Sequence, residues 1–235
     1  MNEKLKIVLL IFTIGLLFIS CAEENSTEPE KTEAKQLNIK TIDVPAAMKQ
    51  VSDPKASATV AYVSLTNGFQ AYTALFQVPQ GANSTGDKFT WTRGSLSITM
   101  YYEEGDNLTW KLVFTGSEDG TTYDNWIAME ASQSADEKNG WMKIYEDNST
   151  VVASEWSWTT DSNGKYSFVL KNNDGESLDK IEIISNPDLS GELYFYTDNL
   201  LTSKTTWDKD GNGQWWEYDE EGNIVTSGSW SASAN

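Results

Sequence analysis

Leu96-Ser97-Ile98-Thr99-Met100-Tyr101-Tyr102, followed after a Glu103-Glu104-Gly105-Asp106 turn by Leu108-Thr109-Trp110-Lys111-Leu112-Val113-Phe114, decides the fold class of this chain. Apolar side chains fall on every second residue in both runs, the period of a strand that buries one face. The same alternation returns at Tyr166, Phe168 and Leu170, at Ile181 and Ile183, and at Trp216 and Tyr218. Short turn signals separate the runs: Glu118-Asp-Gly, Lys138-Asn-Gly, Asp161-Ser-Asn-Gly, Asn173-Asp-Gly, Asp210-Gly-Asn-Gly and Glu221-Gly-Asn. Strands joined only by short turns form an antiparallel meander, here of eleven or twelve strands. A twisted sheet of that size tends to curl or close, because closure removes its unpaired edges.

Upstream of this region the period changes. All ten tryptophans lie from Trp91 onward, and residues 37–87 read as a helical segment and loop. Val44, Ala47, Met48 and Val51 keep helical steps behind Asp43 and Pro45, which predicts a short helix. Asp53-Pro54 caps a longer one, with Ala58, Ala61, Tyr62, Leu65, Phe69, Tyr72 and Phe76 as the stripe that packs on the sheet. Gly68 weakens its middle and Val78-Pro79 ends it. The expected architecture is mainly β: an antiparallel meander over 88–235, curled into an open or closed barrel. One long and one short N-terminal α-helix pack on or in it, as one domain with 37–87. In layout this resembles the Lol-type lipoprotein carriers, which cradle acyl chains in an unclosed barrel.

The first residues carry an address. Lys4 and Lys6 precede an apolar run from Ile7 to Ile19, then Ser20-Cys21-Ala22-Glu23-Glu24. A charged start, a short apolar middle and a small residue before the cut make a secretory signal peptide over residues 1–20. The apolar run is shorter than the roughly 20 residues of a spanning helix. Cys21, the only cysteine, stands directly after the cut, and this order resembles the lipobox of bacterial lipoproteins, with Phe18 where Leu is usual. The resemblance implies acylation (palmitate) at Cys21 and anchoring outside the cytoplasm, with the outer membrane as the expected site. Glu23-Glu24 resembles the acidic export signal of surface-exposed lipoproteins in Bacteroidetes-like bacteria. Residues 21–36 are polar and charged, too poor in apolar content to bury a core, and read as a lipidated, disordered tether.

Composition excludes more than it assigns. The chain has 35 acidic and 17 basic residues, no histidine and one arginine, Arg93. Loss of residues 1–20 removes one acid and two bases and leaves a formal charge of −19. Such a chain repels nucleic acid. Without histidine there is no imidazole relay or imidazole metal site, and with Cys21 committed to lipid there is no thiol nucleophile.

One motif carries chemistry. Asp208-x-Asp210-x-Asn212-Gly213, with Asp219 six residues on, follows the EF-hand calcium pattern with Asp in place of the final Glu. Against it stands a repeat: Trp158-Thr-Thr-Asp161-Ser-Asn163-Gly164-Lys-Tyr166 shares the frame of Trp207-Asp-Lys-Asp210-Gly-Asn212-Gly213-Gln-Trp215. The first copy has Thr159 and Leu170 where Asp208 and Asp219 stand. Asp, Asn and Gly are also the residues an ordinary turn selects. The C-terminal copy, through Asn223, resembles the aromatic-and-glycine hairpins of MORN-like repeats. Possible calcium ligands are therefore Asp208, Asp210, Asn212 and Asp219, and no other cofactor is implied.

Paired acids (Glu103-Glu104, Glu118-Asp119, Asp136-Glu137, Glu146-Asp147, Asp219-Glu220-Glu221) all fall in or beside turns, where the expected role is a solvated hairpin tip. No catalytic pair or nucleophile motif stands out, and the chain reads as non-enzymatic. Trp156 and Trp158 must share a strand face, and Trp215 and Trp216 must point to opposite faces. Two functions follow as expectations. In one, a lipid-anchored lipoprotein binds a hydrophobic or carbohydrate ligand in its curled sheet. In the alternative it is a structural or interaction lipoprotein, its sheet filled by the helix and its contacts made with an envelope protein. A calcium-binding surface protein is a lesser alternative.

Overall fold

The computed structural model describes residues 34–173 and 178–232. The signal segment, Cys21 and most of the expected tether lie outside them. Thirteen strands follow one another: β1 (Asn83–Thr85), β2 (Lys88–Arg93), β3 (Leu96–Glu104), β4 (Asn107–Glu118), β5 (Thr121–Ser134), β6 (Asn139–Tyr145), β7 (Val152–Thr160), β8 (Tyr166–Asn173), β9 (Leu178–Ser185), β10 (Gly191–Thr197), β11 (Leu200–Trp207), β12 (Gly213–Tyr218) and β13 (Ile224–Trp230). Each pairs with its sequence neighbours, so the meander is observed.

The barrel is not. Among the described residues β1 pairs only with β2 and β13 only with β12, so the sheet is open and keeps two edges. Closure needs the first and last strands to zip together, and the three residues of β1 offer too few ladder groups to a seven-residue β13.

The helical region also departs from expectation. Residues 44–51 form only a 3-10 turn, Met48–Gln50, rather than an α-helix. A helix that short cannot offset its nucleation cost. The longer helix, α1 (Pro54–Gly68), starts where expected: Asp53 accepts hydrogen bonds from the N–H groups of Lys55 and Ala56, with Pro54 in the first turn. After Gly68 the chain tightens into a 3-10 helix, Phe69–Phe76.

The buried stripe of α1 is Ala56, Thr59, Val63 and Thr66, whereas Ala58, Ala61, Tyr62 and Leu65 are exposed. The threonines can go inside because their hydroxyls bond back to carbonyls one turn earlier, Thr59 to Lys55 and Thr66 to Tyr62, at 2.8 and 2.9 Å. Small, internally satisfied side chains let the helix backbone sit close to its support. Of the expected stripe, only Tyr72 and Phe76, in the 3-10 extension, are buried.

The chain divides into two compact units, with the division passing within β6. The first contains residues up to 38, 70–137 and 142–152. Its core is a row across four strands, Phe89, Met100, Leu112 and Met129 in register, beside Tyr102, Trp110 and Ala131. Phe76 packs edge-on against Trp110 at 6.4 Å. The extended segment entering at residue 34 is fastened by side chains. Trp110 Nε1 donates to the Lys35 carbonyl, and the Gln133 amide grips Asn38 twice, accepting its N–H at 3.1 Å and donating to its C=O at 2.5 Å.

The second unit contains residues 39–69, 138–141 and 153 onward. Here Asn67 clasps Ile42 in the same manner, with both hydrogen bonds at 2.8 Å. Three rows of one sheet face lie beside α1. They are Tyr166, Ser185, Gly191, Trp207, Gly213, Trp230; then Phe168, Ile183, Leu193, Thr205, Trp215, Gly228; then Leu170, Ile181, Phe195, Ser203, Glu217, Thr226. Tyr62 meets Phe195 at 4.5 Å, Phe69 meets Trp156 at 5.3 Å, and Lys55 Nζ lies 4.9 Å over the Trp215 ring while pairing with Glu217. As the strand alternation requires, Trp156 and Trp158 share a buried face.

Two stability outcomes follow. Gln133 is 1% exposed, so Gln133→Ala strands the Asn38 N–H and C=O and lowers the unfolding free energy by about 2–4 kcal/mol in urea titration. The Tyr166 hydroxyl is buried without a hydrogen-bond partner, and burial raises its pKa. Tyr166→Phe removes an unsatisfied polar group and raises stability, by about 1 kcal/mol; a loss of that size would show the hydroxyl to be satisfied.

Candidate interaction surface

The exposed side of α1 is the feature that packing leaves unexplained. Ala58, Ala61, Tyr62 and Leu65 recur at three- and four-residue steps, on the side away from the buried threonines. Leu65 is 54% exposed and Tyr62 39%. Tyr62 is steadied by its edge contact with Phe195, and Ser64 satisfies its own hydroxyl on the Val60 carbonyl. α1 is thus apolar on two sides, one turned to the sheet and one to solvent. The sequence does carry this stripe, but it reads there as core because it holds the larger residues.

The opposite face of the same sheet, across β9 to β12, is chemically different. Tyr194 donates to Glu192, and Lys204 pairs with Glu192 at 3.1 Å while lying 5.0 Å over the Tyr194 ring and 5.8 Å over Trp216. Lys180 sits 3.5 Å over the Tyr196 ring, and Tyr194 and Tyr196 stack at 6.4 Å. The Tyr194 hydrogen bond, opposed by burial and aided by Lys204, holds the Glu192 carboxyl below the usual carboxylate range. Burial and then the Glu192 contact push Tyr194 upward. Burial draws Lys204 down, but its bonds to Tyr194 and Glu192 outweigh that and leave it raised. Each charge here already has a partner, so this face is a cross-strand support for the sheet. The first unit repeats the pattern: Lys88 and Lys111 flank the Tyr101 ring, and Tyr145 donates to Glu130 at 2.5 Å. Trp215 and Trp216 do occupy opposite faces, one under Lys55 and one beside Lys204.

The residues of the calcium pattern are not brought together. Asp208 Oδ1 accepts from the N–H groups of Asp210 and Asn212, both at 2.9 Å, and Asn212 Nδ2 donates to Asp208 Oδ2. Asn212 Oδ1 is taken by the Ala232 N–H, and Asp210 faces Lys209. Asp219 caps the next hairpin, accepting from Asn223. The two capping acids stand at opposite ends of β12, whose six residues at about 3.3 Å each separate them by roughly 20 Å. Among the described residues no group of three or more acids, cysteines or histidines is placed to hold a metal ion.

The repeat is real, but its frame differs from the expected one by two residues. In the structure Asp161 corresponds to Asp208 and Gly164 to Gly211. The i+3 glycines take left-handed φ values of 81° and 91°, and each Asp closes its turn by a backbone bond to the fourth residue on. Asp219-Gly222-Asn223 is a third copy, with φ 82° at Gly222.

Four acids of the other pairs serve local structure. Glu104 accepts from the Tyr102 hydroxyl and Lys35, Glu118 pairs with Arg93, Asp136 accepts from Ser134, and Glu137 accepts from Asn38. Burial, then the Glu104 contact, pushes Tyr102 up to about 12. The sole arginine is thereby committed to an ion pair.

In the first unit a surface cleft of about 400 Å³ opens between Trp126-Ile127 and the Tyr145–Thr150 stretch. It is framed by Asn125 and Asn148, whose φ values are 51° and 52°. Trp126 stacks on Tyr123 at 5.0 Å beside it. Asp124 is the acid among its lining residues. The expectation of a ligand cradled inside a curled sheet is therefore corrected: the sheet is open, and in the second unit α1 occupies its apolar face. No helix among the described residues is long and apolar enough to cross a membrane.

The capping acids make acid sensitivity measurable. The carboxyl of Asp208 is held low first by the Asn212 side chain, and that of Asp219 first by the Asn223 N–H, with burial opposing in both. A folded-state pKa below the unfolded value near about 3.9 contributes stability above that value and loses it as pH falls through the folded one. Urea unfolding followed downward from pH 6 should show stability dropping below about pH 4, with a shallower drop in Asp208→Asn.

The chain matches no protein-family model, and no curated protein is significantly similar to it.

Proposed function

We propose that this chain is a non-enzymatic, lipid-anchored interaction protein of the cell envelope, holding a protein partner on the exposed side of α1. The observation that carries the reading is the two-sided helix: Ala56, Thr59, Val63 and Thr66 cover the sheet, while Ala58, Ala61, Tyr62 and Leu65 leave an ordered apolar stripe in solvent. Apolar stripes on rigid elements are the usual anchors of protein contacts. Support also comes from how acids such as Asp208, Asp219 and Glu118 and the arginine are spent on turns and ion pairs among the described residues. The anchor rests on Cys21 and the lipobox-like order before it.

Three experiments test the reading in cells of the source. A photo-crosslinking residue at position 65 should give one discrete adduct band, absent from the same residue placed at Ser203 on the α1-covered face of the sheet. Leu65→Glu should abolish partner co-purification while shifting stability by less than about 0.5 kcal/mol, since the side chain is exposed. Absence of any adduct at 65 would end the interaction reading. Cys21→Ser should move the protein from the membrane to the soluble envelope fraction and remove palmitate labelling.

A further inference from the structure

The two edges of the sheet are built differently. β1 is blunted, only Asn83-Ser84-Thr85. β13 is Ile224-Val225-Thr226-Ser227-Gly228-Ser229-Trp230, seven residues without a charge or a proline in a chain of net charge −18. Natural edges are commonly protected by shortness, by charge or by proline. β13 has none of these, and its single irregularity, the extra residue Val225 opposite the Glu217–Tyr218 step, lies at its beginning. Ile224 and Val225 are 57% and 66% exposed.

Antiparallel alternation shows which backbone groups are free. The hairpin closes with Asp219 N–H on the Asn223 carbonyl, and counting from that bond along the register, Thr226, Gly228 and Trp230 turn their N–H and C=O toward β12. Ser227 and Ser229 turn theirs away from it. We infer that β13 pairs with the β13 of a second copy of this chain, antiparallel, about a two-fold axis at Ser227.

That axis sets Ser227 opposite Ser227 in a doubly hydrogen-bonded pair, with Thr226 opposite Gly228 and Val225 opposite Ser229 on either side. Serine, threonine and glycine place no like charges across the junction. The exposed Ile224 and Val225 of each copy come over the Ser229-Trp230 end of the other. The acidic hairpin Asp219-Glu220-Glu221 lies at the Ile224 end of β13, so antiparallel pairing keeps the two hairpins at opposite ends of the junction. Two strongly acidic chains thus meet along an uncharged line. The contact is isologous and closes at two copies, whereas β13 on β1 would be heterologous, open-ended and limited to three residues.

This inference is independent of the partner contact on α1, and either can fail alone. The test is sedimentation velocity of the full chain carrying Cys21→Ser, from micromolar to hundreds of micromolar, at low and high salt. The expected result is a reversible monomer–dimer equilibrium that tightens several-fold as salt screens the net charge. Ser227→Lys, which sets two ammonium groups across the axis, should leave only monomer, while Ser84→Lys on β1 should leave the dimer intact. Hydrogen exchange on the unsubstituted Ser227 chain keeps the test open if Ser227→Lys misfolds: the Ser227 and Ser229 amides should gain protection as concentration rises. Monomer throughout, a ladder of larger species, a dimer that survives Ser227→Lys, or amides of Ser227 and Ser229 indifferent to concentration would each overturn the pairing.

Discussion

Tryptophan rings laid against glycine backbone hold the second unit in register. A Cβ at Gly213 would collide with the Trp230 ring, one at Gly191 with Trp207, and one at Gly228 with Trp215. In the first two cases the indole N–H reaches the carbonyl of the left-handed turn residue, Gly211 or Leu189, at 2.8 Å. The ring, the bare strand start and the preceding turn therefore form one unit, used twice, with the turns and glycines 22 residues apart and the rings 23. A one-residue slip would put a side chain under each ring and strand the indole N–H, which is a strong penalty against wrong pairing. The row that begins at Tyr166 and ends at Trp230, and the helix beside it, depend on this spacing.

The strand period was plain because it is local: alternation at 96–102 and 108–114 needs no knowledge of the rest of the chain. The faces of Trp156, Trp158, Trp215 and Trp216 follow from the same parity. Closure was not legible, because whether the first strand meets the last is set by strand length and bulges along the whole sheet. α1 shows a subtler limit. Its start is legible in Asp53-Pro54, but its end is not: the stripe runs on to Val78-Pro79, whereas the α-helix stops at Gly68, and size points to Tyr62 and Leu65 as the inward side. The buried side is instead Ala56, Val63 and two threonines whose hydroxyls bond within the helix. The calcium-like spacing failed for a related reason. Asp208 and Asp219 are eleven apart because a turn and a strand occupy that length, and each acid begins and serves its own turn.

The acidic composition acquires a structural account. Asp161, Asp208 and Asp219 each accept backbone N–H groups of their own hairpin, and Glu192 and Glu130 anchor tyrosines on half-buried strand faces. Much of the negative charge is thus turn and ladder chemistry, with the excess left at exposed tips such as Glu220 and Glu221.

The amide clasps of Gln133 on Asn38 and of Asn67 on Ile42 have a mechanical consequence. Tension applied to the chain ahead of residue 34 reaches the fold along the extended segment. It is met first by the Trp110 bond to the Lys35 carbonyl and the Gln133 clasp, which pass the load to β4 and β5, and then by the Asn67 clasp, with Leu37 and Ile42 to be withdrawn from burial. Two hydrogen bonds per clasp, broken together, resist a pull more strongly than bonds opened one after another. The segment is therefore fastened by side chains of β4, β5 and α1, and a pull on it is shared among those elements.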